Sequence, residues 1–81
     1  MKKERERIYK AGSTVNHEGR IDGNLNLSRA IGDIAHKKNP RVALQDQAIT
    51  AMPDIKSHPL SNKTDFALLG CDGIFETKTN Q

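Results

Sequence analysis

The sequence predicts an α+β chain that begins with a charged helix and ends with a buried strand. Met1 to Ala11 has the charge spacing of a helix, and residues 66–69 are four consecutive apolar residues. Leu25 to Ser28 alternates apolar and polar side chains, which is the period of a strand. The helix and the strands are separated by polar segments rich in turn-forming residues.

The predicted helix is supported by side-chain pairs one turn apart. Glu6 stands four residues before Lys10, which is the favourable order for an ion pair on a helix. Ile8 supplies an apolar face, and Gly12 is placed to end the helix in a left-handed cap. The mixed Lys, Arg and Glu residues at the start favour a solvated helix face over a docking patch.

The next segment contains two turn signals followed by the alternating segment. Residues 16–19, Asn-His-Glu-Gly, predict a tight turn with His17 in water, and Asp22-Gly23 predicts a second turn. Leu25 to Ser28 then predicts a short strand, in which Leu25 and Leu27 are candidates for the core, and Ile31 is a further candidate.

The middle of the chain is polar and predicts a loop over residues 34–47, with an exposed His36. An extended, partly apolar pattern resumes at residues 48–51. Pro53 is restricted to a sheet edge or a strand start because it has no amide hydrogen to donate. Asp54 follows it and is better explained as an outward-facing residue than as a metal ligand.

The apolar strand at residues 66–69 leads into Cys71, Asp72 and Gly73. A carboxylate held at the end of a buried strand is well placed to bind a hard divalent cation. An Asp-Gly pair is also a common turn, in which the carboxylate accepts local backbone hydrogen bonds. The same context predicts that the Cys71 thiol is buried and inert.

The composition excludes several classes of protein. The chain has 81 residues, of which 35% are apolar and 4% aromatic, so its core is thin and suits a piece of a larger domain. The net charge of +3 is dispersed and lacks interleaved aromatic residues, which argues against nucleic-acid binding. One cysteine allows neither an internal disulfide nor a multi-cysteine zinc site.

The sequence also lacks an apolar run long enough for a signal peptide or a membrane anchor. We therefore expect an intracellular, cytoplasmic or nuclear protein that does not bind a membrane. We also expect it to be a monomer.

Three segments resemble consecutive motifs of the PP2C (PPM-type) metal-dependent protein phosphatases. They are Ser28 to Asp33 with the sequence Ser-Arg-Ala-Ile-Gly-Asp, Pro53 to Ile55, and Cys71 to Glu76. The opening helix resembles the short helix that follows the flap in this family, and residues 79–81 resemble the start of its next helix. The resemblance implies that residues 1–81 are part of a four-layer αββα sandwich, from the post-flap helix to the Cys-Asp-Gly-Ile motif.

The resemblance also implies a chemistry. Proteins of this family hydrolyse phosphoserine and phosphothreonine in proteins, with a water molecule activated by two Mg²⁺ or Mn²⁺ ions. Asp72 matches the aspartate that binds the second metal, and Gly73 matches the adjacent glycine. Glu76 stands where the family has Asp, so its water contacts need not be the same.

Two further residues of the first motif are candidates for supporting roles. Asp33 is a candidate for orienting a ligand or a water molecule, although a turn or a helix cap explains an aspartate there equally well. Arg29 is a candidate for fixing a carboxylate of the site with its planar fork, and the alternative is a surface ion pair.

The resemblance is partial, which leaves the activity of the chain itself open. The family's bridging aspartate and its phosphate-binding basic residue lie upstream of the matching segment, and another metal ligand lies downstream. We therefore expect the isolated chain to be inactive. The alternatives are a truncated, non-catalytic relative that acts as a protein-binding fragment, or the product of an incomplete gene model.

A cysteine-based phosphatase mechanism is a rival that the sequence does not favour. A nucleophilic Cys71 would need an arginine six residues later to bind phosphate, and Thr77 stands there.

Overall fold

The computed structural model describes residues 2–78. Helix α1 spans Lys2–Lys10 and helix α2 spans Asp72–Phe75, with single 3₁₀ turns at Ile34–His36 and Leu44–Asp46 between them. The predicted amino-terminal helix is confirmed over Lys2–Lys10. Met1, and the helix expected to start at residues 79–81, lie outside the described residues.

Helix α1 ends in the predicted glycine cap. Gly12 has φ of +86°, a left-handed conformation that glycine adopts without a Cβ clash. The Ser13 amide donates to the Ile8 carbonyl at 3.1 Å, and the Gly12 amide donates to the Tyr9 carbonyl at 3.0 Å. These two bonds form a Schellman motif, which satisfies carbonyls that the helix leaves without a partner.

Both predicted turns are present. The Gly19 amide donates to the Asn16 carbonyl at 3.0 Å, and the Asn24 amide donates to the Ile21 carbonyl at 2.9 Å. Asp22 and Gly23 both have positive φ, which is the pattern of a type I′ turn. The turns bring Ile21 into antiparallel bridges with Val15 and with Leu25.

The strand predicted over Leu25 to Ser28 is wrong. Within residues 2–78, backbone pairing is limited to isolated bridges, and the parallel one joins Arg29 to Thr50. The Ala30 amide donates to the Thr50 carbonyl at 3.0 Å, and the Thr50 amide donates to the Ser28 carbonyl at 3.2 Å. The backbone around Thr50 thus pairs with Ser28 to Ala30, at the end of the predicted strand. Leu25, at its start, is bridged to Ile21 instead.

The core is small and lies under helix α1. Ile8, Ile21 and Ile49 are buried together. The partly buried side chains packed against them are Val15, Leu25 and Ala30. Two other predicted core residues lie elsewhere, since Leu27 is 46% and Ile31 is 94% exposed.

The segment over residues 34–47 is mostly irregular, as predicted, and it is held against the core by amide side chains. Buried Gln47 accepts a hydrogen bond from the Asn39 amide at 3.0 Å and donates to the Asn39 carbonyl at 2.7 Å. Asn39 in turn donates to the Ala11 carbonyl at 2.6 Å. The prediction of an exposed His36 is wrong, because its ring is partly buried with Nδ1 3.7 Å from the Asp22 carboxylate.

Residues 51–71, which we call the extended segment, are exposed and contain no helix or bridge; one turn, at residues 61–64, is closed by the hydrogen bond from the Thr64 amide to the Ser61 carbonyl at 3.0 Å. The prediction that residues 66–69 form a buried strand is therefore wrong for this structure. Phe66 is 80% and Leu69 is 89% exposed. A strand needs a neighbour to bond its amides and carbonyls; in residues 2–78 no strand pairs with this segment. Pro53 and Asp54 also lie in this extended segment, and the sheet edge expected there is absent from the described residues.

The extended segment gives the molecule an elongated shape. Its radius of gyration is 16.0 Å, against about 12 Å for a compact chain of this length. The described residues contain helices and isolated bridges but not the layers of a sandwich.

Of the helices described, none has the length and apolar character required to cross a membrane.

Candidate metal site and an ion-pair network

Asp72 is the first residue of helix α2, and its side chain is exposed. Cys71 precedes it in an extended conformation, with φ of −105° and ψ of −174°. Gly73 is helical, so the Asp-Gly pair does not form the alternative hairpin turn. Within residues 2–78, the Asp72 carboxylate takes part in no side-chain hydrogen bond and no ion pair.

Gly70 lies close to two side chains of helix α2. A Cβ atom on Gly70 would lie 2.9 Å from the Ile74 Cδ1 atom and 3.2 Å from the Phe75 ring. These separations are shorter than van der Waals contact, so a side chain at position 70 would require the Ile74 and Phe75 side chains to shift.

The thiol of Cys71 is exposed, which corrects the prediction of a buried cysteine. The prediction depended on residues 66–69 being covered by neighbouring strands. Because that segment is itself exposed in this structure, the thiol beside it is also accessible to solvent.

Glu76 lies one helical turn after Asp72. Its amide donates to the Asp72 carbonyl at 2.9 Å, so the two carboxylates project from the same side of a short helix. Glu76 is exposed.

Asp33 lies apart from this helix in the chain and has a left-handed conformation, with φ of +50°. It precedes the turn at Ile34–His36, but its carboxylate makes no capping hydrogen bond. Within the described residues no hydrogen bond or ion pair joins Asp33 or Arg29 to Asp72.

The described residues do not fit a complete divalent-metal site. Mg²⁺ needs octahedral oxygen coordination and is held by several anionic groups. Residues 2–78 contain no cluster of three or more His, Cys, Asp or Glu side chains that would bind a metal. Asp72 fits the role of one oxygen ligand, and the remaining ligands are not found in this part of the chain.

Arg29 binds two carboxylates, neither of which is a predicted metal ligand. Its Nη2 atom is 2.7 Å and its Nε atom 3.3 Å from the two oxygens of Glu4. Its Nη1 atom donates to Asp54 at 3.0 Å and to the Met52 carbonyl at 2.8 Å. The Asp54 side chain is 89% exposed, as the sequence predicted for an outward-facing residue. Arg29 therefore joins helix α1 to the segment around Pro53.

Arg7 makes a second set of contacts from the same helix. It donates to the Ser28 carbonyl at 2.7 Å, to the Gln47 carbonyl at 3.1 Å and to Glu4 at 2.7 Å. The Ser28 hydroxyl also donates to Glu4. We call Glu4, Arg7, Ser28, Arg29 and Asp54 the ion-pair network.

The ion-pair network was not predicted, because the mixed charges of α1 favoured a solvated helix face. That interpretation is wrong for Glu4 and Arg7, which are partly buried. It is right for the exposed charged residues at the start of the helix, Lys2, Lys3, Arg5 and Glu6. The available signal was a Glu and an Arg three residues apart, on the same side of the helix as the buried Ile8.

The surroundings of Glu4 stabilise its charged form. Hydrogen bonds from Arg29, Ser28 and Arg7, together with the positive charge of Arg7, lower the pKa of Glu4 from 4.5 to about 2. Burial acts in the opposite direction and raises the pKa, but its effect is smaller than theirs. The hydrogen bond and charge of Glu4 raise the pKa of Arg29 in return. Both groups are ionised at neutral pH.

Comparisons with known proteins agree with the motifs. The family model for protein phosphatase 2C matches residues 1–81. The "Probable protein phosphatase 2C 6" of Paramecium tetraurelia is 50% identical over 78 residues, which are 96% of this chain and 26% of that protein. The "Probable protein phosphatase 2C 60" of Arabidopsis thaliana is 46% identical over 81 residues, which are 100% of this chain and 22% of that protein.

A solved structure also resembles this one. It is a phosphatase from a pathogenic strain of Toxoplasma gondii, with a TM-score of 0.61 and 44% sequence identity over 64% of this chain and 16% of that chain. The chain spans about a quarter or less of the length of these relatives. The family model covers the whole sequence, and relatives that are 46–50% identical align with 96–100% of it. This chain therefore belongs to the protein phosphatase 2C family.

Proposed function

We propose that this chain is part of a metal-dependent protein serine/threonine phosphatase in which Asp72 is one ligand of the second metal. The observation that carries the proposal is the exposed Asp72 carboxylate at the start of α2, which no other described residue binds. Turn residues commonly accept a hydrogen bond from an amide two residues on, as the Asn16 side chain does from the Glu18 amide at 3.0 Å, and Asp72 accepts none in the described residues.

The proposed reaction is hydrolysis of phosphoserine or phosphothreonine in a protein substrate. Bound Mg²⁺ or Mn²⁺ would supply the nucleophile by lowering the pKa of a water molecule, so that hydroxide would be available to attack phosphorus. Asp72 contributes an oxygen ligand, and the absence of a Cβ on Gly73 leaves its backbone accessible. Glu76 orients water with a longer side chain than the family's Asp, while Asp33 and Arg29 have supporting roles.

The 81 residues alone are proposed to be inactive. One carboxylate does not hold a pair of Mg²⁺ ions, and the described residues contain no cluster of three ligand side chains. Catalysis is therefore proposed for a complete domain of the length of the relatives, which are about four times longer than this chain.

In such a domain, residues 66–69 are proposed to be a strand of the four-layer αββα sandwich. Exposed Phe66, Leu68 and Leu69 support this, because apolar side chains side by side at high exposure are typical of a surface that another element covers. We propose a monomeric, intracellular protein whose partner is the phosphorylated substrate.

The test uses the endogenous protein, captured with an antibody to residues 4–9. An intact mass far above 9.0 kDa supports a complete phosphatase. A mass of 9.0 kDa contradicts the enzyme and favours the non-catalytic, protein-binding alternative.

The role of Asp72 is tested in the full-length protein by Asp72→Asn, with Asp65→Asn as the control. Both aspartates are exposed, and Asp65 lies outside helix α2, seven residues before Asp72. We expect Asp72→Asn to abolish hydrolysis of a phosphothreonine peptide at saturating Mn²⁺ while the circular dichroism spectrum is retained. Asp65→Asn should retain activity. Wild-type activity in Asp72→Asn would disprove the assignment.

A further inference from the structure

A charged cleft lies between helix α1 and the loop over residues 41–46, and Arg7 is the one member of the ion-pair network that lines it. Its volume is about 420 Å³. Lys3 and Lys10 contribute to it from the helix, and Arg41 contributes from the loop. Lys3 and Lys10 are seven residues apart, which places them on one face of α1, two turns from each other.

The three cations of the cleft have no ionic partner within the described part of the chain. All three side chains are exposed, and none is within 4.0 Å of a carboxylate in residues 2–78. Glu6 and Asp46 also line the cleft without forming an ion pair there. The guanidinium of Arg7, in contrast, is already used by Glu4 and by backbone carbonyls.

We propose that this cleft docks an extended, acidic peptide segment of a partner protein. The Cα atoms of Lys3 and Lys10 are about 10 Å apart along the helix axis, at 1.5 Å per residue. In an extended peptide of the polyproline II type, side chains three residues apart lie on the same side and about 9 Å apart. Two acidic side chains separated by two residues thus match the two lysines, and Arg41 faces the same segment from the loop.

The charges of the cleft favour a peptide over a nucleic acid. Glu6 and Asp46 repel a continuous polyanion, whereas a peptide places neutral residues between its acids. The residues that line the cleft also include no aromatic side chain on which a base would stack. The peptide needs no phosphate group, so this docking is separate from the proposed catalytic activity and does not depend on it.

The test is fluorescence anisotropy with labelled, unphosphorylated ten-residue peptides and the 81-residue chain. One peptide carries two aspartates separated by two residues, and a second carries two asparagines at those positions. We expect the aspartate peptide to bind, its affinity to fall on the order of tenfold from low to high salt, and the asparagine peptide not to bind.

Variants then assign the binding to the cleft. Lys3→Gln, Lys10→Gln and Arg41→Gln should each weaken binding about two- to fivefold, as expected for single exposed charge pairs. Lys56→Gln and Lys63→Gln change exposed lysines of the extended segment and should leave binding unchanged. Circular dichroism and the urea midpoint show that each variant keeps its fold.

Three results would overturn the proposal. The first is equal weakening by the control and cleft variants, which would show nonspecific attraction. The second is binding of the asparagine peptide with the same affinity. The third is tighter binding of single-stranded RNA of equal charge, which would identify the cleft as a nucleic-acid site.

Discussion

Arg29 binds both carboxylate oxygens of Glu4, through Nη2 at 2.7 Å and Nε at 3.3 Å. A planar guanidinium paired with a planar carboxylate in this way has a fixed orientation, which a single ammonium group does not provide. The pair joins helix α1 to the first phosphatase motif, and through Arg29 to the Pro53 segment. The motif residue that the sequence associated with the metal site therefore has a structural role in the described part of the chain.

The first prediction concerns the carboxylate of Glu4. Glu4→Gln should lower the free energy of unfolding by about 1–2 kcal/mol, because it removes charged hydrogen-bond acceptors from Arg7 and Arg29. Urea unfolding followed by circular dichroism measures this change. Glu6→Gln is the matched control on the same helix, and its effect should stay within about 0.5 kcal/mol because Glu6 is exposed and unpaired in the described residues. Equal effects of the two substitutions would contradict the role of the network.

The second prediction concerns acid stability. The pKa of Glu4 is lowered in the folded chain from 4.5 to about 2, chiefly by the hydrogen bond from Arg29. Its contribution is therefore complete above pH 4.5 and is lost as the pH falls towards 2. The difference in melting temperature between the wild type and Glu4→Gln should shrink steadily over that range. A difference that is constant from pH 6 to pH 2 would show that Glu4 does not titrate as described.

The third prediction concerns the cap of helix α1. Gly12→Ala should destabilise the chain by about 1–2 kcal/mol, because an L side chain is strained at φ of +86°. A Cβ there would lie 3.7 Å from the Asn39 Nδ2 atom, an ordinary contact, so the cost comes from the backbone. Gly12→Asn should cost less, since Asn tolerates the left-handed conformation better. Similar losses for Ala and Asn in urea unfolding would point to a packing effect instead.

The fourth prediction concerns the thiol of Cys71. Because Cys71 is exposed in this chain, a thiol reagent should modify it in the native state at nearly the rate measured in urea. Cys71→Ser should leave the urea midpoint unchanged, since the side chain packs in no core. Strong protection of the native thiol, on the order of a hundredfold, would show that the extended segment is covered in solution.

Local chemistry made the amino-terminal features predictable. The helix, its cap at Gly12 and the turn at Asp22-Gly23 each depend on a few neighbouring residues, and all three are confirmed. The strand at residues 66–69 was predicted to be buried because it is apolar. Burial needs neighbours distant in sequence, and the described part of the chain places none over it.

The ion-pair network was not predictable for a related reason. Glu4 lies 25 residues from Arg29, and a run of mixed charges on a helix gives no indication of which ones face the core. Only the packing of Ile8 on Ile21 and Ile49 orients the helix so that Glu4 and Arg7 point inwards.

The sequence by itself thus determined the helix, the turns and the family of this protein, because each is a property of adjacent residues or of motifs in order. The tertiary structure alone decided that Ile49 is the most buried residue, that Arg29 binds Glu4 and that the Asp72 carboxylate is exposed. These depend on contacts between segments far apart in the chain, where the free energy comes from burial and charge pairing rather than from local conformational preference.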